Sequence, residues 1–154
     1  MANILPEGAQ AYGVGAHRHA PEIDQILERV SGVQTKVSFT PHLLPMNRGE
    51  IVTVYAKLTK GHSADTVRAA YAARYKDEAF VHVEPAGKVP QTRHVRGSNH
   101  CRIGIFSDRR EDRVIMIGVI DNLVKGSSGQ AVQNLNAVMG WDEHTGLMQP
   151  PLFP

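Results

Sequence analysis

The stretch "CRIGIFSDRREDRVIMIGVID", residues 101–121, constrains the fold more than any other. Two apolar runs flank the charged turn "RREDR", the pattern of two strands joined by a short connection. The second run, "RVIMIGVID", is apolar on both faces. A strand of that kind has to be covered above and below, so it belongs inside a sheet and not at its rim. The rest of the chain must supply its neighbours and its cover.

The neighbours can be read from the alternation of side chains. In "IVTVYAKLT" (51–59), Val52, Val54, Ala56 and Leu58 alternate with Thr53, Tyr55 and Lys57, as in a half-buried strand. In "TKVSFTPHLL" (35–44), Val37 and Phe39 alternate with Ser38 and Thr40. With the breaker-rich "PMNRGE" between them, these two runs are expected to pair as a long antiparallel hairpin. "AFVHVE" adds a short strand.

Three helices are expected. Ile23, Ile26, Leu27 and Val30 follow the i, i+3, i+4, i+7 rule, with Pro21 at the first helical position and Gly32 as the stop. Ser63 is a good N-cap, with Asp65 in the first turn and Val67, Ala70, Tyr71 and Tyr75 on one face. The Gly/Ser loop "NLVKGSSG" leads into a third helix, within 126–140, carrying Val132, Leu135, Val138 and Met139 and ended by Gly140. Helices and single strands do not strictly interleave. The expected fold is therefore α+β: one domain over 1–154, a mixed, mainly antiparallel sheet, and helices on one face.

Composition narrows the function. Length suits one domain, and a net charge of +2 with interspersed signs argues against nucleic acid and anionic membranes as partners. No apolar run approaches the ~20 residues of a membrane span, and "MANILPEGAQ" has no basic region followed by an apolar one. The single cysteine excludes an internal disulfide and fits a reducing, cytoplasmic setting. No Gly-rich dinucleotide turn follows an early strand, so a complete nucleotide-binding domain of the usual kind is not expected. "PAGKVPQTRHVRGSN" is a loop long enough to suggest function.

Three groups of residues are candidates for chemistry. His17 and His19 flank Arg18 just ahead of the first helix. Two histidines do not make a metal site, and His42, His94 and His100 would complete one only through tertiary arrangement, so no metal is expected. An uncharged His17 ring is favoured at the positive end of that helix, where it could accept a proton, and Glu22 in the first turn could orient it. Capping alone is the plainer alternative. Cys101 adjoins His100, but neighbours on a strand point to opposite faces, so an inert cysteine is expected. In "DNLVKGSSGQAVQN" (121–134), backbone N–H groups could cradle an anion; the alternative is a tight strand-to-helix connection.

Four segments, "HRHAPEI" (17–23), "VSFTPHLLPMNRG" (37–49), "GSNHCRIGI" (97–105) and "IDNLVKGSSGQAVQNLN" (120–136), together resemble the C-terminal half of the N-acetyl-gamma-glutamyl-phosphate reductases. The last segment is shared more loosely with aspartate-semialdehyde dehydrogenases, and "HRH-x-PEI" favours the former. The resemblance implies a fold like the C-terminal domain of glyceraldehyde-3-phosphate dehydrogenase-like enzymes. It also implies NADPH-dependent reduction of N-acetyl-gamma-glutamyl phosphate to the semialdehyde, in arginine biosynthesis. In the family a cysteine thiolate attacks the acyl phosphate, hydride reduces the thioester, and a histidine handles the protons.

By position, His17 is that acid–base residue and Glu22 its partner. The resemblance implies substrate-binding roles for His19, Arg48 and Asn99, and a place near the nicotinamide for Asn122 and Gly126. The family's nucleophilic Gly-Cys-Tyr-Pro motif and its dinucleotide fold are not in this sequence, and Cys101 falls in a different segment. The chain thus reads as the substrate-side and oligomerisation half, inactive alone. Its expected partners are the nucleotide-binding half and further copies of itself, and the 126–140 helix would return toward that other half. A non-catalytic assembly module of the same fold, or the equivalent domain of an aspartate-semialdehyde dehydrogenase-like enzyme, is the competing expectation.

Overall fold

The computed structural model describes residues 7–152, so most of "MANILPEGAQ" and the last two residues of the "PPLFP" tail lie outside the described residues. The chain divides after Asn47 into two compact units.

The first unit holds strand β1 (Gln10–Ala11), helix α1 (His19–Ser31) and strand β2 (His42–Leu43), with β1 and β2 antiparallel. Helix α1 starts two residues earlier than the proline suggested, so Pro21 is its third residue. That position is equally free of an intrahelical N–H partner. Gly32 closes the helix in the left-handed region, with φ at 70°. The long hairpin expected from 35–59 does not form. Only His42–Leu43 is strand in the first run. The Val37 N–H donates instead to the Asp24 carboxylate at 2.8 Å, and Pro41 has no N–H to offer a ladder. Alternation there reflects side-chain packing without strand pairing.

The second unit is built on a four-stranded sheet of β3 (Glu50–Lys57), β4 (Val81–Val83), β5 (Cys101–Ser107) and β6 (Arg113–Ile120) in the order β3-β6-β5-β4. Strand β6 is internal, as its two apolar faces required. It is antiparallel to β3 and β5, while β4 runs parallel to β5, so the sheet is mixed and mainly antiparallel. The α+β expectation is met.

Helix α2 (Ala64–Arg74) opens with a capping box in which the Ser63 hydroxyl accepts the Thr66 N–H and the Thr66 hydroxyl accepts the Ser63 N–H. Ala64, Val67 and Tyr71 of α2 pack with Ala56, Val83, Ile103, Ile105, Val114 and Met116 on one face of the sheet. On the opposite face, Ile51, Thr53 and Tyr55 of β3 register against Val119, Ile117 and Ile115 of β6. Ile51 and Tyr55 are 47% and 58% exposed. Helix α3 (Gly129–Met139) ends at Gly140, left-handed as expected.

Ile105 is 2% exposed at the centre of the α2-facing core, whereas Val138 on α3 is 83% exposed. Ile105→Ala is expected to cost about 2–5 kcal/mol through lost burial and a residual cavity, and Val138→Ala less than about 0.5 kcal/mol. Urea unfolding of the two purified variants measures the difference.

Candidate functional site

In the first unit, His17 sits in an aromatic niche. Its ring meets Tyr12 at 5.2 Å, His19 at 4.8 Å and Phe39 at 5.3 Å between centroids, all edge-on. Gly13 closes the niche from the backbone side: a Cβ there would lie 2.9 Å from His17 Cδ2. The His19 backbone N–H donates to His17 Nδ1 at 3.2 Å. A neutral His17 therefore carries its proton on Nε2. The same bond caps the start of α1, so the ring serves the helix as well. Among the described residues no hydrogen bond joins Glu22 to His17, and Glu22 is exposed. The two histidines approach each other, but no group of three or more His, Cys, Asp or Glu side chains converges on a metal position among the described residues.

In the second unit, Arg48, Asn122 and Gly126 gather around a residue the sequence did not single out: Asp121, fully buried at the end of β6. Its Oδ1 accepts the Leu123 and Val124 N–H groups at 2.8 and 3.1 Å. Its Oδ2 accepts the Gly97 N–H at 2.6 Å and lies 3.1 Å from Arg48 Nε. Burial alone would raise this carboxyl, but the three N–H groups and the Arg48 guanidinium outweigh it and hold the carboxyl below its ordinary range. In "DNLVKGSSG" the Leu123 and Val124 N–H groups are taken by the chain's own Asp121, in keeping with the tight strand-to-helix connection that was the alternative to an anion cradle. The segment is also wound, with a π-helical turn over Val124–Ser128.

Arg48 itself is partly exposed, and its Nη1 and Nη2 have no hydrogen bond or ion pair among the described residues. Next to it, Gly49 adopts φ +118°, and a Cβ there would lie 2.9 Å from the Thr92 side chain. Only glycine fits, and its N–H donates to Asn122 Oδ1 at 2.8 Å. Asn122 Nδ2 has no bond among the described residues.

Asn99 is fully buried. Its amide nitrogen donates to Gln133 Oε1 at 2.9 Å, the atom that also accepts from Lys125 Nζ at 2.7 Å. Its Oδ1 faces Gly129, where a side chain would also meet Val124 at 2.7 Å.

His100 turns away from Cys101, as strand geometry requires, and its Nδ1 lies 2.9 Å from His82 Nε2 across the parallel β4–β5 pair. Burial lowers both rings, with the Arg102 charge adding to it. Burial pushes the Cys101 thiol up against the opposing pull of Lys125, as for an inert core cysteine.

The residues around these groups define a class of protein. Residues 2–122 match the semialdehyde dehydrogenase, dimerisation domain family, and the chain belongs to it. The chain is 56% identical over 150 residues to N-acetyl-gamma-glutamyl-phosphate reductase of Rhodospirillum rubrum, covering 97% of this chain and 43% of that protein. It is 52% identical over 148 residues to the reductase of Pelotomaculum thermopropionicum, covering 96% and 43%. It is 50% identical over 150 residues to a probable chloroplastic reductase of Arabidopsis thaliana, covering 97% and 37%. The chain thus spans about two fifths of the length of these relatives. Its fold is similar to that of aspartate semialdehyde dehydrogenase II from Vibrio cholerae, with a TM-score of 0.64 at 18% identity, covering 88% of this chain and 40% of that one.

Acid should destabilise the chain in two windows. The lowered His82 and His100 rings are uncharged in the fold but charge in the unfolded chain below 6.5, so stability falls as pH drops past that value. Asp121 contributes stability in full above its ordinary value of 3.8, and this is lost as pH falls through its lower folded value. Melting temperatures from pH 8 to pH 2 are expected to show both declines, and Asp121→Asn to reduce only the lower one, to which Glu84, held low by Arg102, also contributes.

Proposed function

We propose that this chain is the C-terminal, substrate-side and oligomerisation part of an N-acetyl-gamma-glutamyl-phosphate reductase. Such an enzyme reduces an acyl phosphate to N-acetylglutamate semialdehyde with NADPH, in cytoplasmic arginine biosynthesis. The observation that carries the reading is identity of about half the residues with named reductases along nearly the whole chain. The set niche of His17 and the unpartnered edge of Arg48 support it.

His17 moves the proton, at Nε2, because Nδ1 is engaged by the His19 N–H. Glu22, exposed in the first turn of α1 and not bonded to His17, acts on the ring through its charge alone. Arg48 offers Nη1 and Nη2 to a substrate oxyanion, and a forked guanidinium suits carboxylate and phosphate alike. His19 is a second substrate-side group. Asn99, being buried, acts by holding Gln133 and thereby Lys125. NADPH, when bound, supplies the hydride. The residues here fit the edge of its nicotinamide: Asn122 has a free amide N–H₂ and Gly126 presents no side chain, while the nucleotide-binding half would hold the rest. The α3 helix, with Val132, Leu135, Val138 and Met139 exposed, returns toward that half. A second copy covers the open sheet face of Ile51, Tyr55, Ile115 and Ile117, in keeping with the dimerisation role in the family's description.

Two measurements test this. Grafted in place of the matching part of the Rhodospirillum rubrum reductase, the chain is expected to give an active NADPH-dependent enzyme. His17→Ala in that graft should lose about 10²–10⁴-fold in kcat; an unchanged rate removes His17 from the mechanism, and an inactive but folded graft sinks the reading. By sedimentation, the chain alone is expected to self-associate and Ile117→Asp to be monomeric, and a monomeric parent chain would refute the interface.

A further inference from the structure

Gly13 differs from the other left-handed glycines of the first unit in what lies beside it. Its φ is +58°, and Gly15 and Gly32 share that conformation at +70°. A Cβ on Gly15 or Gly32 would meet nothing within 4 Å. On Gly13 it would lie 2.9 Å from His17 Cδ2, 3.1 Å from His17 Cβ and 3.3 Å from His17 Cα. Turning the ring about its Cβ–Cγ bond would relieve only the first of these contacts. Gly13 cannot easily retreat, because the chain is tied on both sides of it. The Tyr12 N–H donates to the Pro41 carbonyl at 3.1 Å, and the Ala16 N–H donates to the Gly13 carbonyl at 3.0 Å. A side chain at Gly13 would therefore displace His17 itself. That would carry Nδ1 off the His19 N–H, which it meets at 3.2 Å, already the long end of the range for such a bond. Cδ2 is also the ring atom bonded to Nε2, so the bare Cα of Gly13 keeps one flank of that nitrogen clear.

From this arrangement we infer that Gly13 is a positioning residue for proton transfer: its missing side chain is what lets the His17 ring lie with Nδ1 on the His19 N–H and Nε2 left for chemistry. This rests on the role proposed for His17 and adds to it a residue through which that role operates. Backbone conformation is not the reason, since Gly15 has the same left-handed φ and no neighbour. The contact with His17 is.

The test uses the grafted reductase described above and sets Gly13→Ala against Gly15→Ala. Both put alanine in the left-handed region, so backbone strain is common to the two, and only the first meets His17. Gly13→Ala is expected to lower kcat about 10- to 100-fold with KM for the acyl phosphate and for NADPH unchanged, while Gly15→Ala keeps the parental kcat. Added to His17→Ala, Gly13→Ala should lower kcat no further, because it acts through that ring. A parental kcat in Gly13→Ala, an equal loss in Gly15→Ala, or a full further loss on top of His17→Ala refutes positioning and leaves the role of His17 standing. If His17→Ala itself keeps the parental rate, the role of His17 falls and this inference with it. Where Gly13→Ala does not fold, Gly13→Asn decides, since asparagine accepts the left-handed backbone and carries the same Cβ. It should show the same loss of kcat, and a parental value overturns the inference. The parent chain gives a readout that needs no variant. Heteronuclear NMR is expected to show the neutral His17 ring protonated at Nε2, with an Overhauser contact between Gly13 Hα and His17 Hδ2. A ring protonated at Nδ1, or the absence of that contact, overturns the inference.

Discussion

The second unit depends on how one buried charge is satisfied. A carboxylate removed from water costs several kcal/mol unless it is paired and hydrogen-bonded. Asp121 meets that demand by drawing in N–H groups from the residues just after it and from Gly97 twenty-four residues earlier, and by pairing its charge with the Arg48 guanidinium ahead of the first strand of the sheet. The arrangement is coercive. Each donor would be left without its acceptor if its segment moved, so three loops are fixed relative to the end of β6. Asn122, the next residue, then accepts from Gly49, which ties the start of β3 to the same point a second time.

The sheet's two faces have different fates for the same reason of supply and demand. Strand β6 presents apolar side chains both ways, and α2 covers only one of them, through Ala64, Val67 and Tyr71. On the other side, Tyr55 is held by cation–π contact with Arg113, at 5.3 Å, and stays open. Isolated apolar residues on a surface are ordinary, but a registered row on two adjacent strands is a surface made to be covered. The family's description names a dimerisation domain, and the second copy proposed above would meet that row with a surface of the same chemistry.

Much of this was legible in the sequence, and the failures have a common cause. Patterns that depend on a residue's immediate neighbours read correctly. Alternation marked β3, two apolar runs around a charged turn marked β5 and β6, double-sided apolarity placed β6 inside, Ser63 marked a helix start, and Gly32 and Gly140 marked helix ends. What alternation cannot reveal is the partner of a strand. Residues 35–41 alternate like β3, yet the partner of β3 is β6, more than fifty residues on, and the Val37 N–H belongs to Asp24. Asp121 escaped notice for the same reason. Its sequence context is an aspartate after a strand, a common turn residue, and its meaning lies in Gly97 and Arg48. The His82–His100 pair likewise exists only because β4 lies parallel to β5.

His17 shows the converse, a role fixed by strictly local bonds. The His19 N–H reaches back two residues to Nδ1, which is what a helix start asks of any acceptor placed there. Capping and proton transfer were competing readings of this histidine, but the geometry makes them compatible. One nitrogen caps the helix, and that bond selects the tautomer and orients the ring. Tyr12, Phe39 and the bare face of Gly13 close the remaining directions. An imidazole held in this way has one nitrogen left for chemistry, in a fixed direction, which is the condition a proton-transfer group must satisfy before its acidity matters. The helix that Pro21 helps to start therefore orients the imidazole, because its first N–H holds the ring at Nδ1.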